Sequence, residues 1–148
     1  MGLQLQVKTF KPAAASTTSV AAAQTLGSAG NMTLAAGAST GAFNGTNTAQ
    51  VITLTSTGNI SARTFTVTGT DTKGDTVTED ITGPNNSTVT GSVFFATVTQ
   101  IAVDGAVGTN TSAGNGAGAS GAIFTGANRV KGAQITTGGT VGDIGFKE

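Results

Sequence analysis

The stretch Arg63-Thr64-Phe65-Thr66-Val67-Thr68-Gly69-Thr70-Asp71-Thr72-Lys73-Gly74-Asp75-Thr76-Val77-Thr78-Glu79-Asp80-Ile81-Thr82 decides the fold. From Thr64 to Thr70 every second residue is threonine, and Phe65 and Val67 fall between them. The run from Thr76 to Thr82 alternates in the same way, with Val77 and Ile81 on one parity. A period of two is the signature of a strand with one buried face, and Thr, Val and Phe suit a pleated, half-buried surface. For Phe65, Val67, Val77 and Ile81 to share that face, opposed residues of an antiparallel pair must sum to an even number. A loop of Thr72, Lys73 and Gly74 meets the condition by pairing Asp71 with Asp75. It also puts glycine third, where such loops need a left-handed backbone. The spacing therefore predicts a hairpin.

Downstream, Gly83-Pro84-Asn85-Asn86 is a turn signal. In Val93-Phe94-Phe95-Ala96-Thr97-Val98-Thr99-Gln100-Ile101-Ala102-Val103, the residues Val93, Phe95, Ile101 and Val103 share a parity that Val98 breaks. A bulge or kink near Thr99-Gln100 reconciles them. Asp104-Gly105 marks a further turn, and Gly138-Gly139 between Ile135 and Val141 reads as a hairpin turn. Residues 108–121 are so rich in Gly, Ala and Ser that composition predicts a flexible loop. Upstream, Ile52 and Leu54 alternate with Val51, Thr53 and Thr55. Residues 13–48 are small and polar, with an apolar spot at Leu26, Met32 and Leu34; coil, short strands and at most one helical turn are expected there. At the start, Leu3, Leu5 and Val7 alternate with Gln4, Gln6 and Lys8, and Pro12 follows soon after Phe10.

No strand–helix–strand rhythm appears. The expected fold class is all-β: an antiparallel β-sandwich or jelly-roll-like barrel with an extended N-terminal arm and a Gly-rich loop. Residues 1–12 would be the arm and residues 13–148 a single β domain that includes the 108–121 loop. The arm offers an apolar face with little local sequence to cover it. Leu3, Leu5, Val7 and Phe10 are the candidate interaction residues.

Composition narrows the function. The chain has 148 residues, 7 Lys+Arg against 7 Asp+Glu, and only 9% charged residues. It has neither His nor Cys, so a Ser-His-Asp triad, a Cys nucleophile, an ordinary zinc or iron site and a disulfide are excluded. Zero net charge leaves no electrostatic footprint for nucleic acid or for an anionic membrane, and no apolar run reaches the ~18 residues of a spanning helix. Gly, Thr, Ala and Ser together exceed half of the chain, and Val, Ile, Leu and Phe are 31 residues of 148. Burying a large apolar side chain contributes roughly 1.5–3 kcal/mol, while fixing each backbone residue costs about 1–2. A core this thin suggests a chain stabilised by neighbouring subunits.

Three local patterns suggest chemistry. Gly116-Ala117-Gly118-Ala119-Ser120-Gly121 matches the spacing of a dinucleotide loop, but such a loop needs a strand before it and a helix after it, and its flanks predict no helix. Asp71, Asp75, Glu79 and Asp80 gather four acids near the hairpin; a calcium site is one reading, and turn support with a solvated face is the plainer one. Paired carboxylates for glycoside hydrolysis would need a cleft with stacking aromatics, and there is no Trp or Tyr. Of the phenylalanines, Phe65, Phe94 and Phe95 read as core. No enzyme and no cofactor are expected.

Three stretches carry a resemblance. They are Gln24 to Leu34; Val51 to Ile60 with Thr64 to Asp71; and Thr78 to Asn85 with Phe95 to Ile101. Together they resemble small Gly/Thr-rich virion structural proteins of tailed bacteriophages. The ending, Arg129 to Lys147, is similar to the last hairpin of other small phage particle proteins. The resemblance implies a particle component, foremost a capsid cement or decoration protein that binds the outer surface of the major capsid protein. It implies a homotrimer on the phage head, made in the host cytoplasm, with no nucleic-acid or membrane partner. The alternative it leaves open is a tail- or fibre-associated β-domain that binds a ligand on the host surface.

Overall fold

The computed structural model describes residues 9–121. They form ten strands: β1 (Lys11–Pro12), β2 (Ser16–Leu26), β3 (Gly30–Asn31), β4 (Gly45–Thr46), β5 (Ala49–Ser56), β6 (Thr64–Thr70), β7 (Thr76–Thr82), β8 (Thr88–Phe95), β9 (Thr97–Val103) and β10 (Val107–Ser120). One four-stranded sheet has the order β2-β10-β5-β8 and a second the order β3-β9-β6-β7, while β1 and β4 make a small separate pair. All the pairings are antiparallel. The two sheets pack face to face as a sandwich, and among the described residues they do not close into a barrel.

The predicted hairpin is the β6–β7 pair. Phe65 faces Ile81, Val67 faces Glu79 and Thr70 faces Thr76. The Asp71 N–H bonds the Asp75 carbonyl at 2.9 Å, and Gly74 takes φ +90°. Phe65, Val67 and Ile81 are buried, whereas Thr76, Thr78, Asp80 and Thr82 are exposed. Each sheet supplies one face to the core. Ile52, Leu54, Val20, Val107, Ala113 and Phe95 come from one, and Phe65, Val67, Ile81, Val98, Ile101 and Val103 from the other. Met32, Ala38, Phe43 and Ile60 close the ends from the connections.

The parity break at Val98 has two causes. The chain crosses from one sheet to the other at Ala96, between β8 and β9. Then Thr68 pairs with Gln100 while Gly69 pairs with Val98, so Thr99 is the extra residue of a bulge. The bulge expected near Thr99-Gln100 is therefore present.

Two expectations are overturned. The Gly-rich stretch 108–121 is not a loop: nearly all of it is β10, which lies between β2 and β5. Its glycines permit close packing. A Cβ on Gly114 would collide with the Ser16 carbonyl, and one on Gly116 would lie 2.7 Å from a Val51 methyl. Glycine in a strand commonly marks such an approach. Residues 13–48 likewise hold an eleven-residue strand, β2, whose buried contacts come from Val20 and Ala21. β10 pairs with one edge of β2; on the other, the Ala35 N–H bonds the Val20 carbonyl and the Gln24 side chain bonds the Thr33 backbone. Residues 36–43 form consecutive turns, and no helix occurs among the described residues.

Candidate functional site

Of the four candidate interaction residues, Leu3, Leu5 and Val7 lie outside the described residues, as do Gly138 and Gly139. Phe10 is half-buried, and its ring lies against Gly121 of its own chain. Lys11 and Pro12 pair with Thr46 and Gly45, and the Asn47 amide donates to the Thr9 carbonyl at 2.7 Å. Thr9 and Gly121 thus meet around Asn47, at one corner of the sandwich.

The segment after that corner is held by buried amides that sequence reading missed. Gln50 and Asn115 are almost fully buried. The Gln50 Nε2 donates to the carbonyls of Ala13 (3.1 Å) and Gly116 (2.9 Å). The Asn115 Nδ2 donates to the Ala14 carbonyl (2.9 Å) and to the Gln50 Oε1 (3.3 Å), while the Ser19 hydroxyl donates to the Asn115 Oδ1 (2.6 Å). Buried polar groups persist when all partners are satisfied, and these fasten residues 13–19 onto the β5–β10 pair. The only sequence signal was polarity on the inward parity of β5 and β10.

The four acids do not converge. Asp71 Oδ1 accepts the N–H groups of Lys73 (2.8 Å) and Asp75 (3.0 Å), which shapes the hairpin turn. Asp80 accepts the Thr66 hydroxyl on the outer face at 2.6 Å. Glu79 points the other way, between the sheets at their shared rim. Its carboxylate accepts the Ser92 N–H (2.6 Å), the Ser92 hydroxyl (2.8 Å) and the Val93 N–H (3.3 Å) of β8. Val51 pairs with Phe94 and Thr53 with Thr90, so β8 carries two extra residues there. Glu79 accepts two N–H groups of that bulge, and Gly91 makes room because a Cβ would strike the Glu79 carboxylate. No group of three or more His, Cys, Asp or Glu side chains among the described residues could hold a metal. Gly116 and Gly118 lie in β10, a strand context unlike that of a dinucleotide loop.

What remains is a groove on the outer face of the β2-β10-β5-β8 sheet. Its volume is about 560 Å³, and its lining includes Ser16, Thr17, Thr53, Thr88, Thr90 and Gly116 but, among the described residues, no charged side chain. Ile52 and Leu54 turn into the core, so Thr53 and its partner Thr90 face outward. Thr53 is only 7% exposed, and among the described residues its hydroxyl is the one buried side-chain polar atom without a hydrogen-bond partner. Phe94 pairs with Val51 on the same face and is 37% exposed, the one large hydrophobic so exposed among the described residues. The core assignment holds for Phe65 and Phe95 and fails for Phe94, because successive residues of a strand point to opposite faces and Phe95 takes the inward one.

No family model matches the chain, and neither a curated protein nor a solved structure is similar to it. No helix among the described residues is long and apolar enough to cross a membrane.

Proposed function

We propose that the chain is a structural virion protein of a tailed phage, a capsid cement or decoration protein that binds the outer surface of the major capsid protein as a homotrimer. The observation that carries this reading is the shared corner of Thr9 and Gly121. In the sequence, residues 1–8 precede Thr9 and residues 122–148 follow Gly121, and they hold Leu3, Leu5, Val7, Ile123, Phe124, Val130, Ile135, Val141, Ile144 and Phe146. A sandwich whose Thr9 and Gly121 meet at one corner is suited to being fastened to a shell there. The acids of the described body support the same reading, since Asp71, Glu79 and Asp80 serve turns and strand contacts. The resemblance to phage virion proteins supplies the particle.

The test is co-sedimentation of the purified chain with heads of the phage that encodes it, stripped of their native copies. Saturable binding to heads is the expected result, and removal of residues 1–8 should weaken it. Heads that sediment without the chain contradict the reading. Binding to isolated tails alone would move the chain to the alternative, a tail- or fibre-associated domain.

A further inference from the structure

We propose that the outer face of the β2-β10-β5-β8 sheet is a binding site for a neutral oligosaccharide, with Phe94 as its stacking platform and the Thr53–Thr90 groove as its polar subsite. Val51 and Thr53 are two residues apart on β5, about 7 Å. Their partners Phe94 and Thr90 therefore stand side by side, brought together by the β8 bulge. On the far side of β5 from β8, Gly116 and Gly118 of β10 add no side chains; a Cβ on Gly116 would meet the methyls of Val51, Thr53 and Thr90, and one on Gly118 would meet Val51 and Phe94. The result is an aromatic ring beside an open, hydroxyl-lined depression.

The lining chooses the ligand class. The hydroxyls of Thr17 and Thr90 can both donate and accept, which matches the mixed valence of sugar hydroxyls; the Ser16 hydroxyl already accepts the Thr18 N–H, Thr88 shares its hydroxyl with Thr55, and the Thr53 hydroxyl is buried and unpartnered. Among the described residues no charged side chain lines the groove, so they offer nothing to meet the charge of a phosphate, a nucleotide or an acidic sugar. An extended peptide would add to the outer edge of β8, whereas Phe94, Thr53 and Thr90 are presented by the face of the sheet, so a peptide serves as the contrasting probe below. Ligand sites combine an apolar surface with a few convergent polar groups, and exposed Phe94 beside the unpartnered Thr53 hydroxyl fits that pattern. Glu79, from the opposite sheet, accepts the N–H groups of Ser92 and Val93 in the bulge that precedes Phe94.

The site needs no particle. Binding is measured on the free full chain, so failure here and failure of the virion reading are distinguishable. The experiment is NMR titration of the labelled chain with maltotriose, cellotriose, mannotriose and chitotriose in turn. At least one should shift the amides of Thr53, Thr90, Gly116 and Phe94 together, with a Kd on the order of 1 mM. Phe94→Ala and Thr90→Val alter exposed side chains, so both variants should keep the fold. Each should weaken binding by about tenfold. Thr53→Val should raise the unfolding midpoint of the free chain, since it removes an unpartnered hydroxyl, while weakening binding. The proposal is overturned if no trisaccharide shifts these amides at roughly tenfold that Kd, if the shifts map elsewhere, or if a neutral Gly-Thr peptide shifts them and the sugars do not. It is equally overturned if Phe94→Ala and Thr90→Val both leave affinity unchanged.

Discussion

At the scale of single residues, the fold depends on a few side chains whose partners lie far away in sequence. Val67 is fully buried between the sheets, and Val67→Asp would place a charge there with no partner. The variant should lose several kcal/mol and fail to give a cooperative thermal transition by circular dichroism. Asn115→Leu keeps the volume but strips hydrogen bonds from the Ala14 carbonyl, the Gln50 amide and the Ser19 hydroxyl. It should cost about 1–3 kcal/mol in chemical denaturation. Amide exchange should quicken first in residues 13–19, and unchanged exchange there would contradict the fastening role of the buried amides. Glu79→Ala leaves two N–H groups of the β8 bulge to water, which reaches this rim, so the loss should be smaller, about 1 kcal/mol.

At the scale of elements, what the sequence disclosed depended on how each strand buries its face. The β6–β7 hairpin was legible to the residue because large and small side chains alternate and Gly74 marks the left-handed turn. The bulge at Thr99 was legible because Val98 broke a parity. β10 was not legible, since it packs by lacking side chains: Gly114 admits the Ser16 carbonyl, and composition alone cannot tell a close approach from a loop. β2 was hidden for a similar reason, with Ala21 and Val20 as its only buried apolar residues. The outer groove was also invisible, because Thr53 reads as one more exposed threonine of an alternating strand. Two substitutions in β10 separate packing from propensity. Around Gly108 an added Cβ meets nothing, and Gly108→Ala should be neutral or stabilising by up to about 1 kcal/mol. Gly114→Ala should destabilise clearly more than Gly108→Ala changes anything, because the atom it adds runs into the Ser16 backbone. Equal midpoints for the two variants would contradict this packing of β10.

At the scale of the whole molecule, the core cluster of the described body is seventeen buried residues, three of them alanine. Such a core is modest for a body that spans residues 9–121, and a closed oligomer would add buried area without leaving a patch exposed. If the chain is a trimer, its stability depends on concentration. The unfolding midpoint should rise over a roughly hundredfold concentration range, and rise again when heads are added. A flat midpoint with a monomer by light scattering would contradict the trimer. A cryo-electron-microscopy reconstruction of particles from the phage that encodes the chain bears on everything proposed for its biology. The expected result is density for a two-sheet sandwich on the outside of the head, in threes around the local three-fold axes, with the Thr9–Gly121 corner toward the shell. A head without such density, or density for the chain on the tail alone, would contradict it.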